Sequence, residues 1–127
     1  MKIPRLRAAF IGGAAIGAVL LIQAFNSIAC YQHDFGTYLL TVGIFILIPL
    51  IPAELALFSP NPLRAVGACL LFAPWLIIAY VTDCVMPYQG GGASMIYVAV
   101  FLWGTLSAIV GALITGPITR RLGIEIT

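Results

Sequence analysis

Few side chains in this 127-residue chain are equipped for chemistry, and Glu54 is the most conspicuous of them. It is the one acidic residue inside a long apolar stretch, where ionising a carboxylate costs several kcal/mol. Two roles fit such a group. Glu54 can be a proton-titrating or cation-binding site in a small oligomeric transporter, or a buried charge paired with an arginine near a membrane surface. It lies four residues before Phe58, about 6 Å along a helix, which puts Arg64, Arg120 and Arg121 within reach and favours pairing.

Sulfur and imidazole come next. Cys30 and Cys84 fall at the ends of apolar stretches on what the charge pattern below makes the outer, oxidising side, so a disulfide between them is expected. Closing a loop of that length is worth about 4 kcal/mol in the chain-entropy model. Cys69 sits mid-stretch and suits apolar packing. His33, Asp34, Asp83 and Met86 share the outer loops with the two cysteines, and an outer-loop metal or redox sensor is one conceivable use. With one histidine, no Cys-x-x-Cys and no ligand pair at helical spacing, neither a metal nor a cofactor is expected. The run Gly90-Gly91-Gly92 follows Pro87 with no phosphate-loop lysine after it, and is a turn. No Ser, His and Asp set and no paired carboxylates occur, so the chain is not expected to be an enzyme.

These residues are held by greasy elements. Of the chain, 62% is hydrophobic and only 8% charged, against roughly 25% charged in a soluble domain, which excludes a water-soluble fold. Four apolar stretches predict transmembrane helices over about residues 8–28, 38–58, 65–84 and 95–117, each long enough to cross a hydrocarbon core of roughly 30 Å. The stretches are too long for barrel strands and do not alternate in polarity. The expectation is an all-α membrane protein, two helical hairpins forming one domain over 1–127.

All six basic residues fall on one side of that arrangement: Lys2, Arg5 and Arg7, then Arg64, then Arg120 and Arg121. The positive-inside rule makes both termini cytoplasmic in a bacterial-type inner membrane. The first stretch ends in Ser27-Ile28-Ala29-Cys30, loosely like a lipoprotein cleavage box, but it is longer than a signal core and is expected to stay as an anchor. The small excess of positive charge belongs to topology and lipid headgroups; no nucleic-acid partner is expected.

Packing can be anticipated from small residues and prolines. The fourth helix carries Gly104, Ala108, Ala112 and Gly116 at a spacing of four, and the first carries Ala9, Gly13 and Gly17. Two such stripes predict close approach of these helices, within one chain or between chains. Pro49 and Pro52 in the second helix and Pro74 in the third predict kinks, with Glu54 beside the first two. Gln23, Asn26 and Ser27, with Tyr80, Thr82 and Asp83, suggest an interhelical hydrogen-bond layer. Offsetting the chain by 57 positions lays Leu6-Arg7-Ala8 on Leu63-Arg64-Ala65 and Tyr31-Gln32 on Tyr88-Gln89, a faint sign of a repeated hairpin.

The expected partners are the lipid bilayer and other membrane subunits or further copies of the chain. The leading expectation is a non-enzymatic protein acting through helix contacts, as an accessory or assembly subunit or an immunity-type inhibitor of a membrane toxin. A homo-oligomeric transporter, exporter or flippase using Glu54 is the alternative.

Overall fold

The computed structural model of the chain describes residues 1–30, 32, 34–85 and 96–127, with the side chains of Cys30, Asp83 and Val85 outside that description. The glycine turn at 90–92, His33, Met86 and the expected helix start at residue 95 lie outside the described residues. In chain order the elements are β1 (Lys2–Ile3), α1 (Arg5–Phe25), α2 (Phe35–Thr41), α3 (Ile51–Leu57), α4 (Arg64–Tyr80), α5 (Ile96–Arg121) and β2 (Glu125–Ile126). Wider π-helical turns extend α1 over Asn26–Cys30, α2 over Val42–Ile46 and α4 over Val81–Val85.

Four spans are expected, the second and third kinked by prolines, and the described residues give fewer. Arg5–Ala29 and Ile96–Arg121 are long and apolar enough to cross a membrane, and a third crossing appears if Phe35–Ile46 and Ile51–Leu57, bent by 82°, count as one. At 17 residues, α4 is shorter.

The prolines account for the bend. Lacking an N–H, Pro49 and Pro52 leave the carbonyls of Phe45 and Ile48 without their usual donors. The backbone compensates with a wide turn, Leu47 N–H to the Val42 carbonyl at 2.9 Å, and then a tight one, Ile51 N–H to Ile48 at 3.1 Å. Passing from five-residue to three-residue closure within ten positions turns the chain sideways. Pro49 and Leu50 are fully buried, so the corner is packed rather than dangling.

The core centres on α4. Phe72, Leu76, Ala65, Ala68 and Ala79 are fully buried and pack with Val100 and Ala108 of α5, Val19 of α1, and Ile46, Leu50 and Ala53 around the bend. Glycines set the closest contacts. A Cβ on Gly104 would meet Phe72 Cε2 at 2.6 Å, and one on Gly111 would fall on the Gly67 carbonyl, with the Ala68 Cα at 3.0 Å. On α1 the close contact is at Gly12, where a Cβ would meet Leu57, the Pro62 carbonyl and Ala65 at 2.8 to 3.0 Å.

Within the chain the expected pairing of α1 and α5 stripes therefore gives way to another. Gly104, Ala108 and Gly116 are buried against α4, whereas Gly13 and Gly17 have no atom within 4 Å of an added Cβ. Gly12 was the contact on α1 because it, not Gly13, faces the turn into α4. The 57-residue offset aligns α1 with α4, but it sets the bend at 47–50 against the unbroken middle of α5.

β1 and β2 pair in parallel, Lys2 with Glu125 and Ile3 with Ile126. Arg5, at the start of α1, Arg64, at the start of α4, and Arg120 and Arg121, at the end of α5, consequently gather at one end of the bundle.

Candidate functional site at the arginine-rich end

Arg64 is the centre of this end. Its Nη1 donates to the carbonyls of Ala112 at 2.7 Å and Leu113 at 3.3 Å on α5. The sequence explains the target. Pro117 lies inside α5 and has no N–H, so the Leu113 carbonyl, four residues earlier, loses its helical donor. A guanidinium with five fixed donors replaces it. Gly116 makes the room, since a Cβ there would fall on Arg64 Nη2, with Cζ at 2.8 Å.

Arg5 behaves similarly, donating from Nη2 to the Phe58 carbonyl at 2.7 Å, at the C-terminal end of α3. This end thus pins helix termini with cations, where orphan carbonyls carry partial negative charge. Between the two arginines, Asn61 Nδ2 donates to Thr119 Oγ1 at 3.2 Å, and that hydroxyl donates to the Gly116 carbonyl at 2.9 Å. A cavity of about 290 Å³ opens here, lined among others by Asn61, Arg64, Thr119, Arg120 and Ile124.

Glu54 takes no part in it. The residue is half-buried on α3, next to the bend, and neither an ion pair nor a side-chain hydrogen bond joins it to a described residue. The expected pairing with Arg64 is replaced by the carbonyl contacts above, and Arg120 and Arg121 are exposed without a described partner. Pro49 and Pro52 flank the corner, and Pro74 lies inside α4.

The polar layer sits at the opposite end. Gln23, Asn26 and Ser27 are fully buried. Gln23 Nε2 donates to Ser27 Oγ at 2.9 Å, Tyr97 OH donates to Gln23 Oε1 at 3.2 Å, and Asn26 Nδ2 donates to the Leu76 carbonyl at 3.3 Å. The layer thus reaches α5 through Tyr97 and α4 through a backbone carbonyl. Tyr80 of α4 instead makes a tilted ring contact with Phe25, centroids 5.4 Å apart. Tyr38 OH donates to the Leu20 carbonyl at 2.9 Å, tying α2 to α1. These bonds satisfy buried polar groups and orient helices; they present no nucleophile.

The expected disulfide between Cys30 and Cys84 falls partly outside the described residues. No disulfide joins two described side chains: Cys69 is a buried free thiol, and the side chain of Cys30 lies outside the described residues. Cys84 is disulfide-bonded. Asp34 caps α2 by accepting from Thr37 N–H at 2.8 Å, and among the described residues no group of three or more His, Cys, Asp or Glu side chains comes together.

Sequence reasoning missed the Arg64 contacts, the Gly67–Gly111 approach and Trp75 Nε1 donating to Ser107 Oγ at 2.9 Å. A usable signal existed for the first: an interfacial arginine together with a proline four residues past an orphaned carbonyl. Compared with protein-family models, curated proteins and solved structures, the chain matches none.

Proposed function

We propose that the chain is a non-enzymatic protein of a bacterial-type inner membrane that crosses four times and works by helix contact with other membrane proteins. Its role is that of an accessory or assembly subunit, or of an immunity-type inhibitor of a membrane toxin. The crossings are α1, the bent α2–α3 pair, α4 with its π-helical extension, and α5. From Arg64 to Val85 the backbone has 22 residues, about 33 Å at helical rise, which suits a crossing. Pairing of β1 with β2 keeps residues 1–3 and 125–127 on one side, as an even number of crossings requires, and the clustered arginines favour the cytoplasm.

One observation carries the contact reading. Gly67, Gly104, Gly111 and Gly116 are in close contact between α4 and α5, while an added Cβ at Gly13 or Gly17 on α1 meets nothing within 4 Å. Between helices in lipid, close van der Waals approach of small residues is a main source of association. Purification from membranes, comparing the natural chain with a Gly13→Leu, Gly17→Leu double variant, tests it. A membrane protein held in fixed ratio by the former should be lost from the latter. A monodisperse oligomer of this chain alone that transports solute in pure liposomes would sink the reading.

Transport through Glu54 is the second reading, and the absence of a described counter-charge beside the 82° bend favours it. Glu54 nevertheless lines neither the cavity beside Arg64 and Arg120 nor the apolar ones beside Leu70. Proton-coupled flux abolished by Glu54→Gln would raise this reading above the first.

A further inference from the structure

The arginine-rich end holds more positive charge than its own carbonyls use. Arg64 is fixed on α5 through Nη1 and borders the 290 Å³ cavity, and Arg120 lines the same space with no described partner. None of the lining residues is acidic. Glu125 lies between Ile124 and Ile126 in sequence, and strand alternation turns it away from the cavity those two line. Thr119, only 7% exposed, and Asn61 complete a polar wall. The space is at the small end of ligand-sized pockets, which run from about 300 Å³ upwards.

A second cavity, about 310 Å³ and almost wholly apolar, runs between α1, α4 and α5 past Ile11, Val66, Leu70, Ile114 and Ile118. Thr119 lines both cavities. A cationic, hydrogen-bonding space meeting an apolar groove at one residue matches an amphiphile, with an anionic head and a hydrocarbon tail. We propose that this end binds one anionic phospholipid, its phosphate between Arg64 and Arg120 and an acyl chain in the groove beside Gly67. Guanidinium groups suit phosphate oxygens, and basic pockets between transmembrane helices are where such headgroups settle. The site goes beyond the partner reading and needs only that this end lie at a membrane surface.

The test uses the intact chain in nanodiscs of phosphatidylcholine, with and without a minor fraction of phosphatidylglycerol. Modification of arginines by phenylglyoxal is followed residue by residue. Phosphatidylglycerol should slow reaction at Arg120 about fivefold, the contribution of one interfacial cation, and leave Arg121 unchanged. Glycerophosphoglycerol, the same head without chains, should protect neither. In native mass spectrometry Arg120→Gln should retain about fivefold less phosphatidylglycerol than the natural chain, and Arg121→Gln as much as it. Equal slowing at Arg120 and Arg121 would reduce the effect to a diffuse surface potential and overturn the site. So would equal retention of phosphatidylcholine, or protection by inorganic phosphate without lipid, which would mean a free-anion site. The protection measurement needs no variant, so a poorly folded Arg120→Gln would not rescue the proposal.

Discussion

Replacing Arg64 by methionine isolates what the guanidinium does for α5. Methionine keeps a long apolar stem beside Gly116 and removes both bonds, to Ala112 at 2.7 Å and Leu113 at 3.3 Å. The Ala112 carbonyl retains the Gly116 N–H as a helical donor, but Leu113 faces Pro117 and has none. A polar group left unsatisfied away from water costs about 1–3 kcal/mol, and interhelical bonds measured in membranes fall at or below the lower part of that range. Arg64→Met should therefore destabilise the fold by about 2 kcal/mol. In a Pro117→Ala background the restored N–H returns to Leu113, and the same change should cost about 1 kcal/mol. The difference, about 1 kcal/mol of coupling, is what a double-mutant cycle reads. Equilibrium unfolding of all four chains in mixed micelles, followed by far-ultraviolet circular dichroism, measures it. If Arg64→Met costs the same in both backgrounds, the link between the proline and the arginine is wrong, whatever the absolute values.

Three further outcomes are expected. Gly111→Ala should cost about 1–3 kcal/mol in the same unfolding assay, because its methyl lands on the Gly67 backbone, while Gly13→Ala, meeting nothing within 4 Å, should stay within about 0.5 kcal/mol. Tyr97→Phe should lose about 0.6 kcal/mol, the mean for a membrane hydrogen bond, and Gln23→Leu at least as much since it also frees Ser27; a neutral Gln23→Leu would show the layer to be idle. Of the two tryptophans, Trp103 is 56% exposed and Trp75 is half-buried with its N–H on Ser107, so bromolipids should quench the single-tryptophan chain Trp75→Phe more strongly than Trp103→Phe.

Residue types alone reached the helices but not their partners. Apolar stretches located α1, α4 and α5 within a few residues, since the backbone in lipid must satisfy itself and a helix is the local way to do so. Pro49 and Pro52 marked the place of a disturbance in the second stretch, but missing donors do not specify an angle; 82° is set by how Pro49 and Leu50 bury among their neighbours. The expected fourth transmembrane helix stops near Pro117, four residues before the observed end of α5. A proline forfeits its own N–H only, and α5 continues to Arg121 because Arg64 attends to the carbonyl left behind. Which small-residue stripes meet was illegible for a related reason. Gly67, Gly104 and Gly111 pack on α4–α5 and Gly12 on α1, while Gly13 and Gly17 have the tidier spacing and no contact. Shape complementarity lives in the pair of surfaces, and one helix's sequence holds half of it.

The contact of Gly67 with Gly111 also decides where this molecule has freedom. Where backbone meets backbone at this crossing, little side chain is left between α4 and α5 to absorb sliding or tilting, so the two travel as one solid strut. If gating, docking or partner release demands a change of shape, the pivot is left to the corner between Ile46 and Ile51, where two missing donors have already loosened the spine of the second segment.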